Sequence, residues 1–436
     1  MITIQTVTVV GANGTMGSNI SGIFASFGHA KVYMVSRDLE KSKQAILRAQ
    51  KSVRAESISR NMIPADYSML DECVRDSDLV FESTAEDLAL KIEITNRIAK
   101  SLRRDAIACT GSSGLSITRL AECFDETGRG NYMGIHMFNP PYHMTLCELI
   151  STKYTNRAVF DQMKEYLQNV LLRTVVEVKD SPAFLGNRIG FQFINEALQY
   201  ADRFRDSGGI DYIDAILGPF TGRAMAPLTT ADFVGLDVHK AIVDNVYANT
   251  DDYAHDTFRL PMFVQRLIDE GKLGRKSGGG LYKMEISESG VKRLTVYDIG
   301  LGIYRDKIRY EFPFVNQMTK KLRNGDYTDA FSELIHNQSA EARLCLEFLL
   351  KYIVYALVAA DAVGYDVHSA DDVMATGFNW CPPLAMIGAL STVTDVKALI
   401  RERLAPIVTQ SVDLDALFEP IEPSKYDYRI YFKSLR

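Results

Sequence analysis

The stretch TIQTVTVVGANGTMGSNISGIFASFGHAKVYMVS, residues 3–36, decides the fold. A β-branched run from Thr3 to Val10 is bounded by Gly11, which predicts a strand, and Ala30 to Ser36 predicts a second one. Between them Gly11, Gly14 and Gly17 form G-x-x-G-x-x-G and open an apolar segment with helical spacing. A glycine turn between strand and helix lets backbone amides approach a pyrophosphate, whose charge meets the positive end of the helix. The last glycine lets that helix pack against the strand. The spacing therefore predicts a dinucleotide-binding unit, with Gly11, Gly14, Thr15, Met16 and Gly17 at the cradle.

The end of the second strand bears on the choice of coenzyme. A carboxylate there accepts hydrogen bonds from the ribose hydroxyls of NAD, whereas an arginine accommodates the 2′-phosphate of NADP. This chain has Ser36-Arg37-Asp38. Ser36 and Arg37 are the expected contacts, Asp38 can still reach the ribose, and both NAD and NADP stay open.

At 436 residues the chain is too long for a single core, so two or three domains are expected. A hydrophobic share of 47% is enough to bury them, and a net charge of −6 argues against nucleic acid as a partner. MITIQTVTVV has no basic segment ahead of its apolar run, and no run of apolar residues is long enough to span a bilayer. Neither a signal peptide nor a membrane span is expected. Cysteines 73, 109, 123, 147, 345 and 381 are scattered, which fits reduced thiols in the cytoplasm.

Two further predicted strands, Asp78–Glu82 and Ala106–Cys109, place Glu86, Lys91 and the small-residue loop Thr110–Gly114 at the carboxyl edge of the sheet, where ligands of open α/β sheets bind. Ser113 in that loop is a candidate hydroxyl donor, and Ser116 is the expected cap of the next helix. In GIHMFNPPYHMTLCELI, residues 134–150, His136 and Glu148 stand on two short apolar runs joined by a turn at Asn139-Pro140-Pro141. If the runs lie side by side, the carboxylate holds the imidazole, and the other ring nitrogen exchanges a proton with a substrate hydroxyl. Cys147 then points to the opposite face and packs in the core.

GANGTMG, STAEDLALK, TGSSGLSIT, GIHMFNPPYHMTLCELI, DSPAFLGNRIG, ADFVGLD and GKLGRKSGGGLY occur in one order, and that order resembles the L-3-hydroxyacyl-CoA dehydrogenase family. The resemblance implies a nicotinamide-dependent oxidoreductase that interconverts L-3-hydroxyacyl-CoA and 3-ketoacyl-CoA. In it His136 matches the general acid/base and Glu148 its paired carboxylate. Ser113 and Asn187 match residues that hold the hydroxyl and acyl region, Asn139 shapes the same site, and Glu86 and Lys91 stand near the nicotinamide. A basic helical stretch containing Lys51 and Arg54 occupies the place of the arm that covers CoA. The chain departs from the family at Gly111, usually Asn, at Ser36, usually an acid, and by one extra residue in the glycine turn. No enoyl-CoA hydratase module is expected ahead of the first strand, so a fused bifunctional protein is not expected. A dehydrogenase of a free or carrier-bound 3-hydroxy acid, such as a carnitine-like compound, and a catalytically silent NAD(P)-binding protein are the alternatives.

The fold class expected is an α/β Rossmann-like domain, residues 1–181, followed by two all-α domains, 182–288 and 289–436, as tandem helical repeats of the 6-phosphogluconate-dehydrogenase C-terminal type. Aligning Ala197–Gly218 with Ala356–Gly377 at one constant offset matches Ala197, Leu198, Ala201, Asp202 and Gly218 with Ala356, Leu357, Ala360, Asp361 and Gly377. GPFTGRAMAPL and TGFNWCPPL then fall in the same place. The second copy is expected to cover an apolar face that the short-type enzyme covers by dimerising, so a monomer is favoured and a homodimer stays open.

Overall fold

The β-branched runs pair into one sheet of eight strands: β1 (Thr6–Val10), β2 (Lys31–Ser36), β3 (Met62–Asp66), β4 (Leu79–Glu82), β5 (Ile107–Thr110), β6 (Tyr132–Met137), β7 (Leu146–Ile150) and β8 (Thr174–Val178). Their order is β3-β2-β1-β4-β5-β6-β7-β8, parallel from β3 to β6, with β7 antiparallel to β6 and parallel to β8. This is the expected Rossmann-like sheet. Helices α1 (Thr15–Ser26) and α2 (Leu39–Val53) follow β1 and β2. Covered on both faces, the central strands are mostly apolar, and Val7, Val9 and Val10 are fully buried. This computed structural model describes residues 2–53, 56–286, 290, 292–419 and 421–435.

The chain divides into two compact units, Met1–Phe184 with Val363–Tyr365, and Leu185–Ala362 with Asp366–Arg436. Strand β3 was not legible in the sequence because Pro64 interrupts it. It sits at the sheet edge, paired with β2 alone, where a residue without an N–H is tolerated.

In the second unit two long helices, Gly186–Arg203 and Ala340–Val363, carry four of the five aligned residue pairs, Gly218 and Gly377 lying beyond them. The two helical regions were expected as separate domains, but they pack as one unit. The boundary expected at residue 288 also falls inside an antiparallel sheet of three strands, β9 (Tyr282–Ile286), β10 (Lys292–Asp298) and β11 (Ile303–Asp306), in a region expected to be wholly helical.

The two helical regions share a pattern of contacts. Asp214 Oδ1 accepts the Leu228 amide at the start of helix Pro227–Val234, and Asp371 Oδ1 accepts the Leu384 amide at the start of helix Pro383–Leu390, both at 2.8 Å. Each aspartate thereby caps a Pro-Leu helix start, where backbone N–H groups lack partners within the helix. Arg223 and Trp380, from the two corresponding turns, face each other across an antiparallel bridge. The Arg223 guanidinium lies 3.9 Å from the ring centre of Phe193, 4.7 Å from that of Trp380 and 4.9 Å from that of Tyr352. Phe193 and Tyr352 correspond at the offset that matches Ala197 with Ala356. No carboxylate pairs with this buried cation among the hydrogen bonds described; its Nη1 donates to the Thr221 carbonyl and hydroxyl, and aromatic faces supply the rest of its environment.

Asp371→Ala should lower stability to urea by about 1–2 kcal/mol through loss of the cap. Burial pushes the Asp371 carboxyl up to about 6, against the hydrogen bonds from Ser424 and Leu384. The folded form thus holds this proton more tightly than the unfolded chain, whose aspartates titrate near about 3.9. The contribution is complete below the unfolded value and is lost as pH rises through about 6. Urea midpoints of the native protein and Asp371→Asn, compared at several pH values across that window, should diverge in this sense.

Candidate active site

Residues of β6 and β7 directly opposite each other include His136 and Glu148, because the antiparallel register pairs Gly134 with Ile150 and Met137 with Cys147. Both side chains leave the same face, and His136 Nδ1 lies 2.7 Å from Glu148 Oε2. The histidine is 5% exposed and the glutamate fully buried. A neighbouring carboxylate favours the tautomer with the proton on Nδ1 and leaves Nε2 to exchange a proton with a ligand. Two aromatic rings frame the imidazole, Phe138 at 4.6 Å and Phe184 at 5.5 Å between ring centres. Ala183 and Phe184 hold φ of 59° and 50°, a left-handed conformation that costs side-chain-bearing residues energy and here directs the Phe184 ring to His136. Cys147 points into the core as expected, and burial pushes its thiol up to about 12.

The turn between the two strands is tied to the sheet. Asn19 on α1 donates to Asn139 Oδ1 at 3.2 Å, the Tyr142 hydroxyl donates to the Asn19 carbonyl at 3.0 Å, and Arg173 donates to the Pro141 carbonyl at 2.5 Å. Asn139, expected to shape the site, therefore links the His136 strand to the helix that follows the glycine turn. Asn19, Tyr142 and Arg173 carried no signal in the sequence, since each acts on a partner more than thirty residues away.

A second cluster lies at the carboxyl ends of β4 and β5. Lys91, 1% exposed, donates to both oxygens of Glu82, at 3.0 and 2.9 Å, and lies 3.6 Å from Glu86. Glu86 accepts the Ser112 hydroxyl at 2.6 Å and the Ser113 amide at 2.8 Å, so Glu86, Lys91 and Ser113 do come together. Burial alone raises the Glu82 carboxyl, but the Lys91 charge and the hydrogen bonds from Thr110, Thr84 and Lys91 outweigh it and hold it below its ordinary value. Glu82 and Ser112 were missed in the sequence reading; a carboxylate closing an apolar strand was the available signal for the first. Gly111 is a glycine because a Cβ there would meet the Phe81 ring at 2.9 Å.

The glycine turn fits a pyrophosphate. Gly11 has φ +84°, and a Cβ on it would meet the Ser83 carbonyl oxygen at 2.4 Å; a Cβ on Gly17 would meet the Gly11 carbonyl oxygen at the same distance. Gly14 and Thr15 are exposed at the open N-terminus of α1, Met16 is half-buried beside them, and the first turn holds no acidic residue that would repel an anion. Ser36 departs from expectation: it is fully buried, and its hydroxyl is taken up by the Asp38 carbonyl and the Ser42 hydroxyl, both at 2.7 Å. Of the expected CoA contacts, Lys51 is exposed in the last turn of α2 and Arg54 lies outside the described residues. Asn187 is buried at the start of helix Gly186–Arg203, in the second unit. Ser116 caps its helix as expected, accepting the Arg119 amide.

Comparison with known proteins agrees with this geometry. Residues 6–181 match the NAD-binding domain of 3-hydroxyacyl-CoA dehydrogenase, and residues 184–284 match its C-terminal domain. The 3-hydroxybutyryl-CoA dehydrogenase of Clostridioides difficile is 32% identical over 288 residues, which are 63% of this chain and 97% of that protein. A Bacillus subtilis protein named as a probable 3-hydroxyacyl-CoA dehydrogenase is 26% identical over 405 residues, covering 86% of this chain but 50% of its own length. The chain thus spans about half the length of that longer relative. The crystal structure of a 3-hydroxybutyryl-CoA dehydrogenase from Escherichia coli superposes with a TM-score of 0.68 at 22% identity, over 94% of this chain and 98% of that one, a likeness of fold that extends through the second helical region. The chain belongs to the 3-hydroxyacyl-CoA dehydrogenase family, whose N-terminal domain takes NAD by default.

Removing Lys91 leaves Glu82 charged and buried without its partner. Lys91→Met should therefore cost about 3–5 kcal/mol of folding stability. His136→Ala should also lower the thermal midpoint, because it leaves the fully buried Glu148 without its imidazole partner, and parallel calorimetry of the two variants checks both.

Proposed function

We propose that this protein interconverts L-3-hydroxyacyl-CoA and 3-ketoacyl-CoA. The single observation that carries the reading is the 2.7 Å contact between His136 Nδ1 and Glu148 Oε2, made by two buried residues in direct register beside a sheet whose glycine turn fits a dinucleotide. A nicotinamide coenzyme supplies the hydride acceptor or donor. Nε2 of His136 takes the proton of the 3-hydroxyl during oxidation and returns it during reduction. Glu148 stabilises the imidazolium so formed and keeps the ring oriented, while Phe138 and Phe184 keep water from its faces. Ser113 is proposed to orient the substrate oxygen; its amide is held by Glu86, and its hydroxyl has no partner among the described residues. Asn187 is proposed as an acyl contact on the family resemblance, and Lys51 as a contact to the CoA phosphates.

The substrate is proposed to be a soluble acyl-CoA and the setting the cytoplasm. All six cysteines are free thiols, and no helix among the described residues is long and apolar enough to cross a membrane. The matched helical halves of the second unit support a monomer, since one half covers within the chain what a second subunit would otherwise cover.

Reduction of acetoacetyl-CoA, followed by loss of the reduced nicotinamide absorbance with each coenzyme in turn, tests the reading. His136→Ala should lose about 10² to 10⁴-fold in kcat, and Glu148→Gln should lose a large part of the same factor while coenzyme still binds. A folded protein that turns over a free 3-hydroxy acid but no CoA ester would replace the acyl-CoA assignment. A His136→Ala variant with nearly unchanged rate would remove the histidine from its role.

A further inference from the structure

In a sheet of this kind the adenosine ribose of the coenzyme meets the carboxyl end of the second strand, where a carboxylate suits a free 2′,3′-diol and a guanidinium suits a 2′-phosphate. The position that ordinarily supplies the acid holds Ser36, and that hydroxyl is turned into the core. Two other carboxylates stand at this edge, and both fold back on their own turns. Asp38 Oδ1 accepts the amides of Glu40 and Lys41, at 2.8 and 3.1 Å, at the start of α2. Asp66, opposite Ser36 in the register with β3, accepts the amide and the hydroxyl of Ser68. Arg37 follows the strand directly, is exposed, and has no hydrogen-bond or ion-pair partner among the described residues.

A second guanidinium is fixed beside the glycine turn. Arg48, from the third turn of α2, reaches across to donate through Nη2 to the carbonyl of Asn13 at 2.8 Å, and Asn13 lies between Gly11 and Gly14. One donor anchors the group and the others stay open to solvent, because Arg48 is exposed. The edge thus presents two cations, one fixed and one unpaired among the described residues, while each carboxylate commits its Oδ1 to its own turn.

We infer that this site prefers the 2′-phosphorylated coenzyme, NADPH, over NADH, with Arg37 as the residue that pairs with the phosphate and Arg48 as a second positive charge beside it. The inference rests on the dinucleotide reading of the glycine turn and is independent of the acyl chemistry. It also distinguishes this chain from the NAD default of the family.

Isothermal titration of the full chain with NADPH and with NADH, without acyl substrate, tests it. NADPH should bind about tenfold or more tightly, as one or two charge-assisted hydrogen bonds imply, and the advantage should shrink as salt is raised. Arg37→Ala should cut NADPH affinity about tenfold more than NADH affinity, with Arg37→Lys in between. Because Arg37 is exposed, neither change should disturb folding, which circular dichroism confirms. NADH bound as tightly as NADPH by the native protein would overturn the inference, as would an Arg37→Ala variant that weakens both equally. Tight NADPH binding with the expected Arg37 response, in a protein that reduces no acyl-CoA, would sustain the inference and remove the dehydrogenase reading. Binding of neither coenzyme would remove both.

Discussion

The contact on which the rest depends is the buried pair formed by His136 and Glu148 across β6 and β7. A charge enclosed in a protein must be paired and hydrogen-bonded, and a carboxylate as fully buried as Glu148 is costly without such partners. The antiparallel turn of the chain at Asn139–Met144 meets that need by bringing the two residues into register on one face. A shift of one residue would send Glu148 to the opposite face and bring Cys147 to the imidazole. The anchors on the intervening turn, from Asn19, Tyr142 and Arg173, hold the register, so the chemistry of one pair constrains residues from α1 to β8.

The second unit solves a different problem by internal matching. Paired aspartates cap paired Pro-Leu helix starts, and Arg223 and Trp380 meet where the two halves face each other. The arginine at this point is buried among three aromatic rings, whose faces meet its charge. Both halves use this capping geometry, because an uncapped buried helix start costs free energy in either one.

The coenzyme edge shows how neighbouring residues change the meaning of a motif. Ser36-Arg37-Asp38 contains a hydroxyl, a cation and a carboxylate, and any of the three can serve a nucleotide. Packing removes the serine, which satisfies a buried network with Ser42, and the aspartate spends one of its two oxygens on capping α2. Arg37 remains because a long charged side chain at a strand end is driven outward by the cost of desolvation.

The glycine spacing at Gly11, Gly14 and Gly17, the apolar central strands, the Ser116 cap and the two runs bearing His136 and Glu148 were legible in the sequence, because local sterics, periodicity and turn chemistry act over a few residues. A likeness between the two helical regions was legible only faintly, through residues that recur at one offset. What the sequence did not disclose was every feature that depends on partners far apart in the chain. The edge position that accommodates Pro64, the β9–β11 sheet, the packing of both helical regions as one unit, the enclosure of Lys91 by Glu82 and the inward turn of Ser36 belong to this group. Tertiary structure decided these because burial, and therefore the charge state and availability of a side chain, is set by what the fold brings against it and not by its neighbours in sequence.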